Sequence, residues 1–423
     1  MSQPFRTAMS RLLPTLLLLL TVFGPISMDL YLPALPALTA DLGAATSVAQ
    51  LTVTACLAGL ALGQLIAGPL SDRYGRRGIL LIGIAAYVVT SALCAISPTI
   101  ELLIVTRLVQ GIAGGVGIVI AQAAGRDVYV GGELLRFYGR LTVIGGLAAI
   151  VGPVLGGVLT AVTDWRGLFV LLAAIGVAIL AVTLVVFGET LPVGLRNRGG
   201  LTEAMRSYRT LFSDRVFLGA ILNQGFLYAA LFAYLSGATF VLQDIYGLSP
   251  QGYAVAFGLN SAGFMTFGFL AARASERWSV RGTLAAGILV AGLGALGLLA
   301  SSIVATPLWV VIVSLFALAA GVAISSPPAT ALALAEYPRM AGTASSLLGA
   351  VRFGFGGISA PLVGVAGSLS ILPLGIVMVV AVALSGVAFV ALARVPATAR
   401  RPEQAEAADA RPVGMDAVSR SLP

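Results

Sequence analysis

The sequence predicts an all-α integral membrane protein with twelve transmembrane helices in two six-helix halves. Three observations carry that expectation. Of the 423 residues, 58% are apolar and only 10% are charged, whereas soluble domains carry about 25% charged residues. Twelve apolar runs each approach the roughly 20 residues that a helix needs to cross the hydrocarbon core. The charges lie between those runs, and the basic ones fall almost wholly on one side of the membrane that the runs imply.

The first six runs cover residues 12–35, 48–70, 78–96, 102–122, 139–162 and 168–187. Arg6 and Arg11 ahead of the leucine-rich start resemble a signal peptide. No small-x-small cleavage site follows, and the run passes into Met28-Asp29-Leu30-Tyr31-Leu32-Pro33, so it reads as an uncleaved first span. The second six cover 216–237, 253–272, 282–301, 308–330, 342–367 and 372–394. Between the two sets, residues 189–215 carry five arginines and three acids and read as a cytoplasmic linker. Residues 396–423 are rich in Ala and Pro, with four arginines against four acids, and read as a disordered tail. The expected organisation is thus a half over 1–188, a linker over 189–215, a half over 216–395 and a tail over 396–423.

All 25 basic residues are arginine. With the N-terminus inside, 22 lie on the cytoplasmic side, Arg166 alone lies outside, and Arg107 and Arg352 fall within spans. Cytoplasmic loops of membrane proteins carry the basic excess, so both termini are expected in the cytoplasm. The net charge of +8 does not indicate nucleic acid, because the arginines are dispersed between spans.

The missing residue types exclude several functions. Without histidine there is no Ser-His chemistry and no His-based metal site; without lysine there is neither a P-loop nor a Schiff base. An enzyme or an ATP-driven pump is not expected, nor a metal or a cofactor. Cys56 and Cys94, both inside apolar runs, read as packed thiols.

The loop between spans two and three reads Gly68-Pro69-Leu70-Ser71-Asp72-Arg73-Tyr74-Gly75-Arg76-Arg77-Gly78-Ile79-Leu80. At an offset of 204 residues, between spans eight and nine, Ser275-Glu276-Arg277-Trp278 and Arg281-Gly282-Thr283-Leu284 repeat its acid, base, aromatic and Arg-Gly-x-Leu ending. Paired six-helix halves are a transporter architecture, with the substrate site near the midplane where the halves meet.

The Gly68–Leu80 run resembles the loop signature of the major facilitator superfamily, with Ser71 in place of alanine. Arg107-Leu108-Val109-Gln110-Gly111 is similar to that superfamily's fourth-span motif. Gly139, Gly152-Pro153 and Gly156-Gly157 resemble the antiporter signature of drug exporters, with Ala148 at one expected glycine. Met28–Pro36, Arg126-Asp127-Val128-Tyr129 and Tyr337–Ser346 resemble the Bcr/CflA drug-resistance group. The resemblance implies the superfamily fold in the bacterial inner membrane. It also implies a monomer that exports small amphipathic drugs, bicyclomycin- or chloramphenicol-like, at the expense of a proton gradient. Transport of a metabolite such as an amino acid or a nucleoside is the alternative on the same fold.

Within that reading, Asp29 is the one acid placed inside a span. A charged carboxylate there costs at least about 2.5–3.5 kcal/mol, so it is a candidate proton carrier; an interfacial position at the outer end of the first helix is the alternative. Arg107 and Asp29 both fall in the outer half of the membrane, close enough for a hydrogen bond or a bridging water, and the resemblance makes Arg107 part of proton coupling. Arg352, about 15 Å into span eleven, has no acid to pair with. Tyr31, Gln64, Gln110, Asn223, Gln224 and Asn260 are candidate cavity groups, with Phe226, Tyr228, Phe232 and Tyr234 as aromatic contacts. Gly68 and Gly75 are expected to make the tight turn of a gating latch. In it Asp72 caps a neighbouring helix, Arg76 reaches Asp127, and Arg73 belongs to the same basic loop. Gly152, Pro153, Gly156 and Gly157 are expected to bring helices close and allow a bend.

Overall fold

Backbone groups in hydrocarbon must find their hydrogen bonds internally, so long apolar runs wind into helices. The computed structural model describes residues 3–129, 131–196, 200–277, 279–304, 306–334, 337, 341–364 and 370–391, and among them every regular element is helical. The helices are α1 (Gln3–Asp29), α2 (Leu35–Asp41), α3 (Thr46–Tyr74), α4 (Arg76–Ala95), α5 (Ile100–Val128), α6 (Gly131–Leu159) and α7 (Trp165–Val186). They are followed by α8 (Gly200–Ser213), α9 (Arg215–Phe240), α10 (Pro250–Arg277), α11 (Val280–Ile303), α12 (Leu308–Leu334), α13 (Ala341–Val363) and α14 (Leu372–Ala391). Eleven stretches among the described residues are long and apolar enough to cross a membrane; α6, of 29 residues, is the twelfth long helix. The chain is a twelve-span protein, as the hydropathy pattern predicts.

Three local features differ from the plain pattern. The first span continues beyond Asp29 through a 3-10 turn (Leu32–Ala34) into α2, with a proline as the second residue of each. Proline suits a helix start, where its missing N–H costs nothing. The seventh span runs on through a π-helical turn, Val241–Ile245. The linker contains a helix, α8, that is amphipathic: Leu211 is buried while Met205, Arg206 and Arg209 are exposed. The expected tail over 396–423 lies outside the described residues, as do Trp278, Arg339 and Met340. Prolines at 14 and 25 in α1, 153 in α6, 327 and 328 in α12 and 361 in α13 remove intrahelical bonds and permit bends.

In the first half α5 is central and packs on α3, α4 and α1, while α7 covers α4. In the second half α9 packs on α12, α13 and α14, and α12 on α10 and α11. The halves meet along two seams, α3 against α13 and α6 against α10. In the orientation that the arginine distribution predicts, the end that carries α2 is the outer end and the end that carries α8 the inner one, and the two ends are named accordingly. At the outer end the halves are tied together. Thr239 Oγ1 donates to the Leu32 carbonyl at 2.9 Å, Gln243 Nε2 to Pro33 at 3.2 Å and Gln251 Nε2 to Gly157 at 3.0 Å. At the inner end α8 touches α3, α9 and α13, so it spans the two halves.

Candidate transport site and inner latch

At the inner end the chain must reverse between α3 and α4. Gly75 does this with φ +100°, a conformation open to glycine and strained for other residues. Gly68, expected in the same turn, lies inside α3, where an added Cβ would make only ordinary contact with Val119 at 3.6 Å. Arg76, 5% exposed, folds back from the turn. Its Nη1 donates to Ser71 Oγ at 2.7 Å and to the Asp72 carboxylate, and its Nε donates to Asp127 Oδ2 at 3.1 Å. The expected Arg76–Asp127 link is present, and Thr190 Oγ1 also donates to Asp127, at 2.9 Å. Arg73 stands apart, over the Tyr74 ring.

The cap expected from Asp72 is supplied instead by Glu189, because Asp72 is engaged by Arg76. Glu189 accepts from the backbone N–H groups of Arg76 at 2.8 Å and Arg77 at 3.3 Å, the first turn of α4, and from Leu191 N at 3.0 Å. It also pairs with Arg196 at 3.5 Å. Partial burial pushes the Glu189 carboxyl up, but the three N–H bonds and the Arg196 cation outweigh it and hold the carboxyl below the usual glutamate range.

In the first half Arg107 is fully buried. Its Nη1 donates to the Ser27 carbonyl at 3.1 Å and to Gln110 Oε1 at 2.6 Å, and its guanidinium lies 4.3 Å from the Tyr31 ring centroid and 5.5 Å from that of Phe169. Gln110 passes the network on to Ser91 Oγ at 2.7 Å, and Tyr31 Oη meets Thr52 Oγ1 at 3.0 Å. Tyr31, Arg107 and Gln110 thus form one enclosed cluster inside the half and do not line an open cavity. Asp29 does not join it. It has no hydrogen-bond or ion-pair partner among the described residues, although it is 7% exposed. Arg107 reaches it only through α1, by holding the backbone two residues earlier.

Asp29 instead faces the seam between the halves. Gly152 packs directly on it: a Cβ there would lie 2.9 Å from the Asp29 Cβ. A Cβ at Gly156 would overlap the Leu30 carbonyl oxygen, and one at Gly157 would lie 2.5 Å from the Ala254 Cβ of the other half. With Pro153 buried between them, these small residues let α6 lie against the end of α1 and against α10 at once. From the second half Tyr234 and Tyr253 come within electrostatic range of Asp29. Asn260 Nδ2 donates to Tyr234 Oη at 2.9 Å. Asn260, a candidate cavity group, is therefore buried beside the seam. Asn223 is not at the seam: its Nδ2 donates to Ser385 Oγ at 2.8 Å, so it fastens α9 to α14 on the side away from the first half. Gln224 and Arg352 face each other within the second half, with Arg352 Nε donating to Gln224 Oε1 at 2.6 Å.

Glu189 and Thr190 were not legible as latch residues, because Arg76 and Asp127, which they meet, are over sixty residues away in the chain, and Arg196 enters only through Glu189. The same holds for an outer contact in which Arg166 Nη1 donates to Asp41 Oδ2 at 2.5 Å and Trp165 Nε1 donates to the same oxygen at 3.0 Å. A cavity of about 280 Å³ opens beside it, between Asp41, Thr160 and Trp165 of the first half and Gln243 and Pro250 of the second.

This arrangement agrees with the comparisons to known proteins. The Major Facilitator Superfamily pattern matches residues 17–361. An uncharacterized MFS-type transporter of Bacillus subtilis, YdgK, is 35% identical over 381 residues, which cover 90% of this chain and 94% of that one. A bicyclomycin resistance protein homolog of Haemophilus influenzae is 27% identical over 345 residues, covering 82% and 87%. Among solved structures, a bacterial homolog of the human lysosomal transporter Spinster, inward-facing and occupied, superposes with a TM-score of 0.70. It has 16% identity and coverage of 92% of this chain and 97% of that one, a likeness of fold alone. The chain is a multi-pass membrane transporter that belongs to the Major Facilitator Superfamily and, within it, resembles the Bcr/CflA drug-resistance group.

Proposed function

We propose that this transporter exports small amphipathic molecules, drugs among them, from the cytoplasm across the bacterial inner membrane in exchange for protons, by alternating access and as a monomer with both termini inside. The observation that carries the proton part is Asp29: an intramembrane carboxyl at the seam of the halves, enclosed and without a partner among the described residues. In this outer-closed arrangement the carboxyl is shut off from water. Opening the outer seam admits water and allows protons to exchange with the outside. Turning the site to the inner side brings the same carboxyl to cytoplasmic water, where its proton is released. Arg107 cannot itself give up a proton, so it acts as a fixed charge and as a strut on the Ser27 carbonyl. Export of amphipathic compounds is supported by similarity to the bicyclomycin resistance homolog and by aromatic side chains on α9 and α13.

The test is Asp29→Asn in proteoliposomes with an imposed pH gradient. The substitution keeps size and hydrogen bonding and removes the cost of a buried charge, so the protein should insert and still bind neutral substrate. It should lose uphill accumulation while keeping downhill exchange. Wild-type uphill transport by this variant refutes the assignment of Asp29.

A further inference from the structure

Arg352 is held in a way that neither Arg76 nor Arg107 is. It lies about 16 Å along α13 at 1.5 Å per residue, away from both helix ends. Besides its bond to Gln224, its Nη2 donates to Thr330 Oγ1 at 2.9 Å and to Ser326 Oγ at 3.4 Å. Gln224 is fixed in turn, since its Nε2 donates to the Ser326 carbonyl at 2.9 Å and to Thr330 Oγ1 at 2.8 Å. Every acceptor in this network is neutral. No carboxylate stands within ion-pair distance of Arg352 among the described residues, and its Nη1 makes no hydrogen bond there.

Neutral acceptors orient a guanidinium without cancelling its charge, and an uncompensated charge at membrane depth is costly. Arg76 meets two carboxylates. Arg107 is sealed between the Tyr31 and Phe169 rings, the Ser27 carbonyl and Gln110. Arg352 alone of the three keeps both an unmatched charge and an open side, being half-buried.

Its surroundings specify more than charge. The guanidinium lies 4.9 Å from the Tyr228 ring centroid, and the rings continue through Phe232 to Phe353 at spacings of 6.2 and 5.8 Å. One turn before Arg352, Gly349 packs on the side-chain oxygen of Gln64 from the first half. The Gln64 amide nitrogen is buried with no acceptor among the described residues. A spare donor of the first half thus stands beside Gly349, one helical turn from the position of Arg352.

We propose that the Arg352–Tyr228 wall recognises substrates by an anionic group, such as a carboxylate, sulfonate or phosphonate, joined to an aromatic body, so that the transporter selects organic anions among amphipathic molecules. The anion supplies the missing counter-charge through charge-assisted hydrogen bonds from a preset fork, and its ring lies along Tyr228, Phe232 and Phe353. This rests on the export reading above and names its substrate class.

The experiment is equilibrium binding of tritiated 2-naphthoate to the purified full-length protein in nanodiscs, with 2-naphthamide and 2-naphthylmethylamine as competitors and empty nanodiscs as the control for partitioning. We expect the carboxylate to bind at least tenfold more tightly than the amide, and the amine least tightly. R352Q should bring the carboxylate down to the affinity of the amide and leave the amide unchanged, while R352K should retain part of the preference. Failure of the carboxylate to bind, equal binding of the three compounds or preference for the amine overturns the proposal, and none of these results needs a variant that folds. An equal loss for all three compounds in R352Q also overturns it, in favour of a purely structural arginine. Flux in pH-gradient proteoliposomes separates this from the parent reading: binding preference without proton-driven flux refutes the export mechanism and not the substrate class, and the reverse outcome refutes the class alone.

Discussion

The contact between α6 and the end of α1 can be opened by a single methyl group. In Gly152→Ala the new Cβ would start 2.9 Å from the Asp29 Cβ, with the Asp29 carbonyl carbon and the Leu30 nitrogen both at 3.6 Å. Carbon atoms rest about 3.5–4.0 Å apart, so α6 must retreat by roughly 0.6–1 Å or the end of α1 must shift by as much. Neither is free to do so: α6 is pressed against α10 through Gly157, and Arg107 holds α1 at Ser27. Overpacking of this kind costs typically 1–3 kcal/mol, which shifts an equilibrium between two conformations by roughly 5- to 150-fold. The outer-closed arrangement bears the strain, so its population should fall and water should reach Asp29. The assay is proton leak without substrate in proteoliposomes that carry a trapped pH dye, alongside drug efflux at equal protein. Gly152→Ala should leak and pump less, whereas Gly78→Ala, with nothing within 4 Å of the added Cβ, should match wild type. Normal coupling in Gly152→Ala would show that the seam has slack and that the glycine is not required by its contact with Asp29.

Glu189→Gln should weaken the cap on α4 and lower thermal stability at neutral pH. Because the folded carboxyl is held below the usual glutamate range, its contribution is present above that range. The deficit against wild type should therefore be full at pH 7 and should shrink only as the pH falls below about 4.3, the ordinary glutamate value; a deficit that persists unchanged at low pH contradicts the charge-based account. For orientation, a cysteine at Thr163 should react with membrane-impermeant thiol reagents in intact cells, and one at Ser419 only after the cells are opened. The native Cys56 and Cys94, both buried, give little background, and the inverse labelling would overturn the arrangement of both termini.

Much of this molecule was legible in the sequence because the bilayer imposes one-dimensional rules. Spans need about 20 apolar residues and internally satisfied backbones, so hydropathy located twelve helices, and dispersed arginines gave their expected orientation. Motifs short in sequence were equally legible. Gly75 and Arg76 adjoin, and a turn followed by a cation predicts a reach back to a nearby helix end, which Asp127 provides. What the chain did not disclose is which polar groups share a space. Asn223 and Asn260 look alike as amides in apolar runs, yet one is fastened to α14 and the other stands beside Tyr234 at the seam. A helix in lipid is apolar on all sides, so no polar stripe marks the face that turns inward. The partners of Glu189, Asp41 and Arg352 likewise come from helices remote in sequence. The sequence by itself determined the number and order of the spans and the charged and polar groups each carries, through composition and spacing. Only tertiary packing decided that Asp29 stands alone at the seam, that Arg107 is sealed beneath it and that Arg352 keeps an open side, because those outcomes depend on helix rotation and crossing, which hydropathy does not encode.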